Sequence, residues 1–102
     1  MITSVRTANV HDGKLNAAVA WALKVVKYLR EKHGAQIQLS RNVGGLVHQI
    51  HWVSVHPSLA DFEKAFKQFE ADEGYTTLLS EGRQQGLFIA ASIVDHLYES
   101  IG

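Results

Sequence analysis

The sequence predicts an α+β domain in which two helices pack on one face of a four-stranded antiparallel sheet. The pattern of apolar residues indicates the order strand, helix, strand, strand, helix, strand. A Gly44-Gly45 pair between two β-rich runs is typical of a hairpin, which makes the sheet antiparallel. A chain of 102 residues has room for one hydrophobic core, so we expect one domain over residues 1–102.

The first strand and the first helix occupy residues 2–33. Residues 2–10 are rich in β-forming side chains, and Asp12 is placed to cap the helix that follows. From residue 14 to residue 33, apolar residues recur at helical spacing, and Gly34 supplies a left-handed residue at the end. The main apolar stripe comprises Leu15, Val19, Ala22, Val26 and Leu29. Trp21, Val25 and Tyr28 add a second ridge, which indicates a further packing partner.

A β-hairpin is predicted over residues 36–55, with Gly44-Gly45 as a two-residue turn, because tight primed turns need positive φ. In that register Arg41 faces His48 and Val43 faces Leu46. One face is mostly apolar and contains Ile37, Leu39, Val43, Leu46, Ile50 and Trp52. The opposite face carries Gln38, Ser40, Asn42, Gln49 and His51.

The second half of the chain supplies a helical region and the last strand. Ser58 is placed to cap a helix with Asp61 at the capping-box position, and Asp72-Glu73-Gly74 interrupts it before a short helix over residues 75–81. Residues 87–98 form the last strand, and both of its faces are largely apolar, so we expect it to be buried on both sides. The sheet face away from the helices then needs cover, which a second copy of the chain would supply in a two-fold homodimer.

Composition and charge argue against several classes of function. The ten basic and ten acidic side chains cancel, which disfavours a surface that binds nucleic acid. Without cysteine, the chain has no disulfides and no thiolate metal ligands. No apolar run is long enough to span a bilayer and no signal peptide opens the chain, so we expect a cytoplasmic protein without a membrane partner.

The element order is that of ferredoxin-like folds, and three stretches of sequence carry a narrower resemblance. These are residues 5–15 (Val-Arg-Thr-Ala-Asn-Val-His-Asp-Gly-Lys-Leu), Ile50-His51-Trp52-Val53, and Asp72-Glu73-Gly74-Tyr75 through Leu78-Leu79. The chain resembles the dimeric α/β-barrel superfamily, in which two ferredoxin-like subunits close their sheets into a barrel. It is most similar to uncharacterised bacterial proteins related to the NIPSNAP and antibiotic-biosynthesis-monooxygenase branches. The resemblance implies a homodimer and a pocket between sheet and helices, but no single reaction, because the fold hosts oxygenases, isomerases, haem enzymes and ligand-binding proteins.

The candidate ligand-binding residues are polar side chains that can face an enclosed apolar space, together with one tryptophan. They are Arg6, Arg41, His48, His51, Trp52, Ser92 and His96. Arginine can hold a carboxylate or an enolate, and histidine can move a proton near neutral pH. We expect His51 and His96 to reach a ligand most readily, in a cavity bordered by the open sheet face.

Five of these residues also have a structural interpretation. Arg6 would pair with Asp95 or Glu99 of the neighbouring last strand, because an unpartnered buried arginine is costly. Arg41 and His48 would form a solvated pair at the rim of the hairpin. His51 and His96 would be hydrogen-bonded within the dimer interface.

Two functions therefore stay open: a homodimer that binds a small organic molecule, and a cofactor-free monooxygenase or isomerase that acts on one. No metal is expected, since His48 and His51 point to opposite faces of a strand and cannot share an ion. No haem is expected either, since residues 58–86 lack the histidine that haem-degrading members of the superfamily carry on the second helix. RNA binding is disfavoured because the first and third strands offer only Trp52 for base stacking.

Overall fold

One antiparallel sheet with strand order β2-β3-β1-β4 organises the chain, so that β1 and β3 are central. The computed structural model describes residues 1–45 and 47–102. Its strands are β1 (Ile2–Asn9), β2 (Ile37–Arg41), β3 (Gln49–His56) and β4 (Val94–Glu99). Its helices are α1 (Leu15–His33), α2 (Leu59–Glu70) and α3 (Glu73–Gln84). The predicted α+β, ferredoxin-like class is confirmed, with the second helical region divided into α2 and α3.

Local capping sets the helix boundaries. The Ser58 hydroxyl accepts a hydrogen bond from the Asp61 amide at 3.1 Å, which confirms the predicted cap. The Asp61 carboxylate accepts from the Ser58 hydroxyl at 2.8 Å rather than from the backbone amide of a capping box. Gly34 ends α1 with a left-handed φ of 68°, also as predicted. The prediction that Asp12 caps α1 is wrong, because the Lys14 amide bonds to the His11 carbonyl and this turn separates Asp12 from the helix.

The connection between β2 and β3 is longer than the predicted two-residue turn. Arg41 pairs with Ile50 rather than with His48, so the predicted hairpin register is wrong by two residues. His48 lies in the connection with a φ of 64°, and its carbonyl accepts a hydrogen bond from the Val10 amide at 2.7 Å. An even shift in register leaves every side chain on its predicted face of the sheet.

The predicted pairing of Val43 with Leu46 lies outside the described residues, since Leu46 is not among them.

The last strand is shorter and more exposed than predicted. Leu87 is buried and Phe88 makes an isolated bridge to Val10, but Ala90–Ser92 form a single 3₁₀ turn before β4 begins. Every residue of β4 is exposed, so burial of this strand on both sides is not found within one chain. The turn removes residues 89–93 from the sheet, and none of the described helices covers the side chains of this edge strand.

The hydrophobic core lies between the helices and one face of the sheet. Its sheet residues all belong to that face: Ala8, Ile37, Leu39, Ile50 and Trp52. The buried residues of α1 are Ala18, Ala22, Val25, Val26 and Leu29. The helices therefore cover a single face, as predicted. Among the described residues, no helix is long and apolar enough to cross a membrane.

Two glycines of α3 allow close packing against α1. A Cβ on Gly82 would lie 2.7 Å from the ring of Trp21, and a Cβ on Gly74 would collide with the hydroxyl of Tyr28. The Trp21 indole also donates a hydrogen bond to the Leu78 carbonyl at 2.8 Å. The partner of the second apolar ridge of α1 is therefore α3.

Candidate functional site

A cavity of about 390 Å³ lies between the helix side of the sheet and the helices. This volume falls within the roughly 300–1,000 Å³ that is typical of small-molecule sites. Its wall is largely apolar, and three aromatic rings form a continuous part of it. The Phe88 ring stands edge-on between Trp21 and Trp52, with ring centroids 5.5 Å from each and planes inclined at 60°. Such a wall suits a flat, apolar ring.

Arg6 brings a cation to this cavity from the middle of β1. Its Nε donates to Asp95 Oδ1 at 2.7 Å and its Nη2 donates to Asp95 Oδ2 at 2.9 Å. This hydrogen bonding raises the pKa of Arg6 and lowers the pKa of Asp95. Arg6 thus makes the ion pair that the structural interpretation of the sequence suggested. A guanidinium has five N–H donors, so the pair leaves some of them for a carbonyl or carboxylate group in the cavity.

Other polar residues are spaced around the cavity wall. Tyr75 lies close to Arg6, and burial raises the pKa of its hydroxyl although the Arg6 charge opposes that shift. On β3, the Ser54 hydroxyl is 2.9 Å from Nε2 of His56. His33 enters the wall from the last turn of α1, with its ring centroid 5.4 Å from that of Phe69. The cavity therefore offers several hydrogen-bonding groups within an apolar surround.

A buried carboxylate joins α1 to the start of α3 beside this cavity. Asp72 accepts hydrogen bonds from the Tyr28 hydroxyl at 2.6 Å, from His33 Nε2 at 2.7 Å, and from the amides of Gly74 at 2.8 Å and Tyr75 at 3.2 Å. Its side chain is only 7% exposed. The Tyr28 hydrogen bond first, then those of His33 and the amides, lower the pKa of Asp72 to about 2 although desolvation opposes the shift. The same contact raises the pKa of Tyr28.

His51 and His96 lie on the open face of the sheet, away from this cavity. The register places His51 beside Thr7 and His96 beside Val5, on the face opposite to the core. The ring of His96 stacks on Tyr98, with centroids 5.9 Å apart. The structure therefore separates these two histidines from Arg6 and Trp52, which line the cavity.

A chain of hydrogen bonds holds His51 in place. Its Nε2 donates to Asn42 Oδ1, and in the neutral ring its Nδ1 accepts from the Thr7 hydroxyl at 2.8 Å. Asn42 Nδ2 donates to Gln49 Oε1 at 2.9 Å, and Gln49 Nε2 donates to Asn9 Oδ1 at 2.8 Å. The polar side chains at this end of the open face thus bond to one another.

The remaining candidates lie where β1 ends. Arg41 is the exposed last residue of β2, and His48 lies in the β2–β3 connection. The Ser92 hydroxyl accepts from the Asn9 amide at 2.9 Å and donates to the Ile89 carbonyl, so it fixes the turn before β4. These three residues are not part of the cavity wall.

Several residues that form the cavity or support it are not among the candidates that the sequence indicated: Trp21, Tyr28, His33, Asp72, Tyr75 and Phe88. The second apolar ridge of α1 was a usable signal for Trp21 and Tyr28. No local pattern predicts that Asp72 reaches Tyr28 and His33, which are 44 and 39 residues away. In the described part of the chain, no three histidine or acidic side chains lie close enough to hold a metal ion.

Comparison with known proteins identifies the fold. No family model matches the chain, and no curated protein matches it in sequence. Several solved structures match the chain over nearly their whole length, and the following three are among them. A NIPSNAP family protein from Agrobacterium tumefaciens has a TM-score of 0.81 at 15% identity, covering 98% of this chain and 92% of that one. An uncharacterised NIPSNAP domain protein from Burkholderia xenovorans has a TM-score of 0.82 at 10% identity, covering 99% and 95%.

The third structure is a Deinococcus radiodurans protein provisionally named an antibiotic biosynthesis monooxygenase. It has a TM-score of 0.72 at 13% identity and covers 100% of this chain and 94% of that one. The chain has the fold of these proteins. The resemblance to NIPSNAP and antibiotic-biosynthesis-monooxygenase proteins that the sequence indicated is confirmed as a likeness of fold.

Acid should remove the stabilisation that Asp72 provides. Its folded pKa of about 2 lies below its ordinary value of 3.8, so the ionised carboxylate stabilises the fold above pH 3.8 and this contribution is lost as the pH falls towards 2. Urea unfolding at several pH values should show a smaller loss of stability over this interval in Asp72→Asn, which has no carboxyl group to protonate.

Asp72→Asn should also be less stable than wild type at neutral pH, whereas Asp12→Asn, at an exposed turn, should behave as wild type. Equal acid dependence of wild type and Asp72→Asn would contradict the assigned role of this carboxylate.

Proposed function

We propose that the protein binds a small, mostly apolar organic molecule with an aromatic ring in the cavity between sheet and helices. The observation that carries this proposal is a cavity of about 390 Å³ whose wall includes the Trp21–Phe88–Trp52 rings. Burial of a ring against these side chains removes apolar surface from water, which is the main source of affinity in such sites.

Arg6 is the residue that would select among such molecules. Its remaining N–H donors suit a carbonyl oxygen or a single carboxylate, while Asp95 already neutralises its charge. This proposal puts the ligand on the helix side of the sheet, whereas the sequence favoured the open face. A cavity at the open face would need walls from a second chain.

A cofactor-free monooxygenase or isomerase acting on a small organic substrate is the second candidate. The fold is shared with a protein that carries a provisional monooxygenase name, and Arg6 and Tyr75 bring an anion-binding group and a hydroxyl to one cavity. Chemical change of the added molecule would favour the enzyme, and its recovery unchanged would favour the binding protein.

We also propose that a second copy of the chain covers the open sheet face in a two-fold homodimer. Apolar side chains form a band across this face, comprising Val5, Val53, Val55, Val94 and Tyr98. Val55, Val94 and Tyr98 are 45–53% exposed. The polar side chains around His51 hydrogen-bond to one another. A second subunit that covers them would therefore leave few hydrogen-bond donors without a partner.

The size of the face is compatible with a stable pair. Four strands about 4.8 Å apart, rising about 3.3 Å per residue, give a face of roughly 500 Å² per subunit. Two such faces total roughly 1,000 Å², which reaches the lower limit for a specific interface.

Ligand binding can be measured through the protein's own fluorescence, because its two tryptophans, Trp21 and Trp52, both line the cavity. Titration with 4-nitroanisole, a neutral aromatic quencher, should reduce tryptophan emission to a saturating limit. Ala65→Phe fills part of the cavity and should weaken this binding at least about tenfold, or about 1.4 kcal/mol.

The matched control is Ala60→Phe, which makes the same change at an exposed position of the same helix and should bind as wild type. Identical titration curves for the two variants would rule out the cavity as the binding site.

The homodimer can be tested by sedimentation equilibrium at micromolar concentration. Wild type should have twice the mass of the chain, and Val53→Lys should sediment as a monomer because it places a charge in the centre of the proposed interface. Leu23→Lys, at an exposed position of α1, should remain dimeric. The proposal fails if wild type is a monomer or if Val53→Lys keeps the wild-type mass.

A further inference from the structure

We propose that His33, positioned by Asp72, accepts the proton of an acidic hydroxyl group, that of a small phenol or enol, bound in the cavity. This inference rests on the proposed function, since it names the class of molecule that the cavity takes and a residue that acts on it. The observations that carry it are the 2.7 Å contact between His33 Nε2 and Asp72 Oδ2 and the position of His33 in the cavity wall.

The Asp72 carboxylate is fixed before any ligand arrives. Its oxygens accept from Tyr28, from His33 and from the first amides of α3, and its side chain is almost wholly shielded from water. A carboxylate that accepts this many hydrogen bonds favours its ionised form, so it acts only as an acceptor towards the imidazole.

This arrangement decides which nitrogen of His33 can act as a base. Since Asp72 can only accept, the proton of the neutral ring is on Nε2, and Nδ1 carries the free lone pair. Among the described residues, Nδ1 has no hydrogen-bond partner. A carboxylate that fixes the tautomer and then stabilises the imidazolium is the arrangement by which histidine serves as a general base.

The surroundings of His33 favour a phenol or an enol over an aliphatic alcohol. A phenolic hydroxyl has a pKa near 10, close enough to that of imidazole for proton transfer, whereas an alkanol is far less acidic. The ring of His33 lies against Phe69 in a wall that already holds three further aromatic rings. In the transfer, the ligand O–H bond breaks and an Nδ1–H bond forms, which leaves a phenolate or enolate beside an imidazolium paired with Asp72.

The test compares 4-nitrophenol, which turns yellow when it loses its proton, with 4-nitroanisole, which has no such proton. The pH is set just below the point at which free 4-nitrophenol ionises. Wild type should bind both compounds, seen as tryptophan quenching, and should produce the yellow phenolate band from bound 4-nitrophenol. His33→Gln retains an N–H donor for Asp72 and should still bind 4-nitroanisole, but the band should fall by about tenfold, equivalent to one unit in the pKa of the bound dye.

Two further variants complete the design. Asp72→Asn should weaken the band while circular dichroism confirms that the variant is folded, and His11→Gln, at an exposed position, should leave the band unchanged. A band that survives in His33→Gln would overturn the inference, as would a band lost in His56→Gln instead. If 4-nitroanisole binds but wild type produces no band, proton acceptance fails while the proposed function stands. If neither compound quenches tryptophan fluorescence, the proposed binding function fails, and the inference about His33 fails with it.

Discussion

The geometry of the cavity depends on the hydrogen bonds that the buried Asp72 carboxylate accepts. This carboxylate caps α3 through two backbone amides and binds Tyr28 and His33 of α1, so the end of one helix is fixed to the start of another. Gly74 permits this contact because a Cβ there would collide with the Tyr28 hydroxyl. Burying a charge is unfavourable unless its hydrogen-bonding capacity is filled, and here four donors fill it. The same contact that joins the helices therefore also orients a histidine at the cavity wall.

Alternation along the strands divides the chemistry of the sheet between two faces. Arg6 and Trp52 face the helices and the cavity, while Thr7 and His51, one residue away on the same strands, face the open side. The helix side holds an ion pair beside an apolar space, which suits a ligand with one polar group. The open side holds a connected polar network next to exposed valines, which suits a flat protein surface more than a small molecule.

Most of the fold could be predicted because it follows from local signals: period-two alternation, helical stripes, the Ser58 cap and the Gly34 stop. Two predictions about the strands were wrong because a local sequence pattern was taken to set the length of a turn or a strand. Gly44-Gly45 is typical of a tight turn, but the connection spans residues 42–48, and the apolar run before β4 contains a 3₁₀ turn. For the site, Arg6 and Trp52 were selected, but His33 and Asp72 were missed. Their contact joins residues 39 apart through tertiary packing, which no spacing rule describes.

We infer that the cavity between sheet and helices, held by the Asp72 contacts, is the place where a small aromatic molecule binds. Crystals soaked in 4-bromoanisole would test it most directly, because the anomalous signal of bromine marks the position of the ring independently of the fitted model. We expect one strong bromine peak in van der Waals contact with Trp52 and Phe88 on the helix side of the sheet. A peak on the open face beside His51 and His96, or a cavity filled by its own side chains with no bromine in it, would contradict the account.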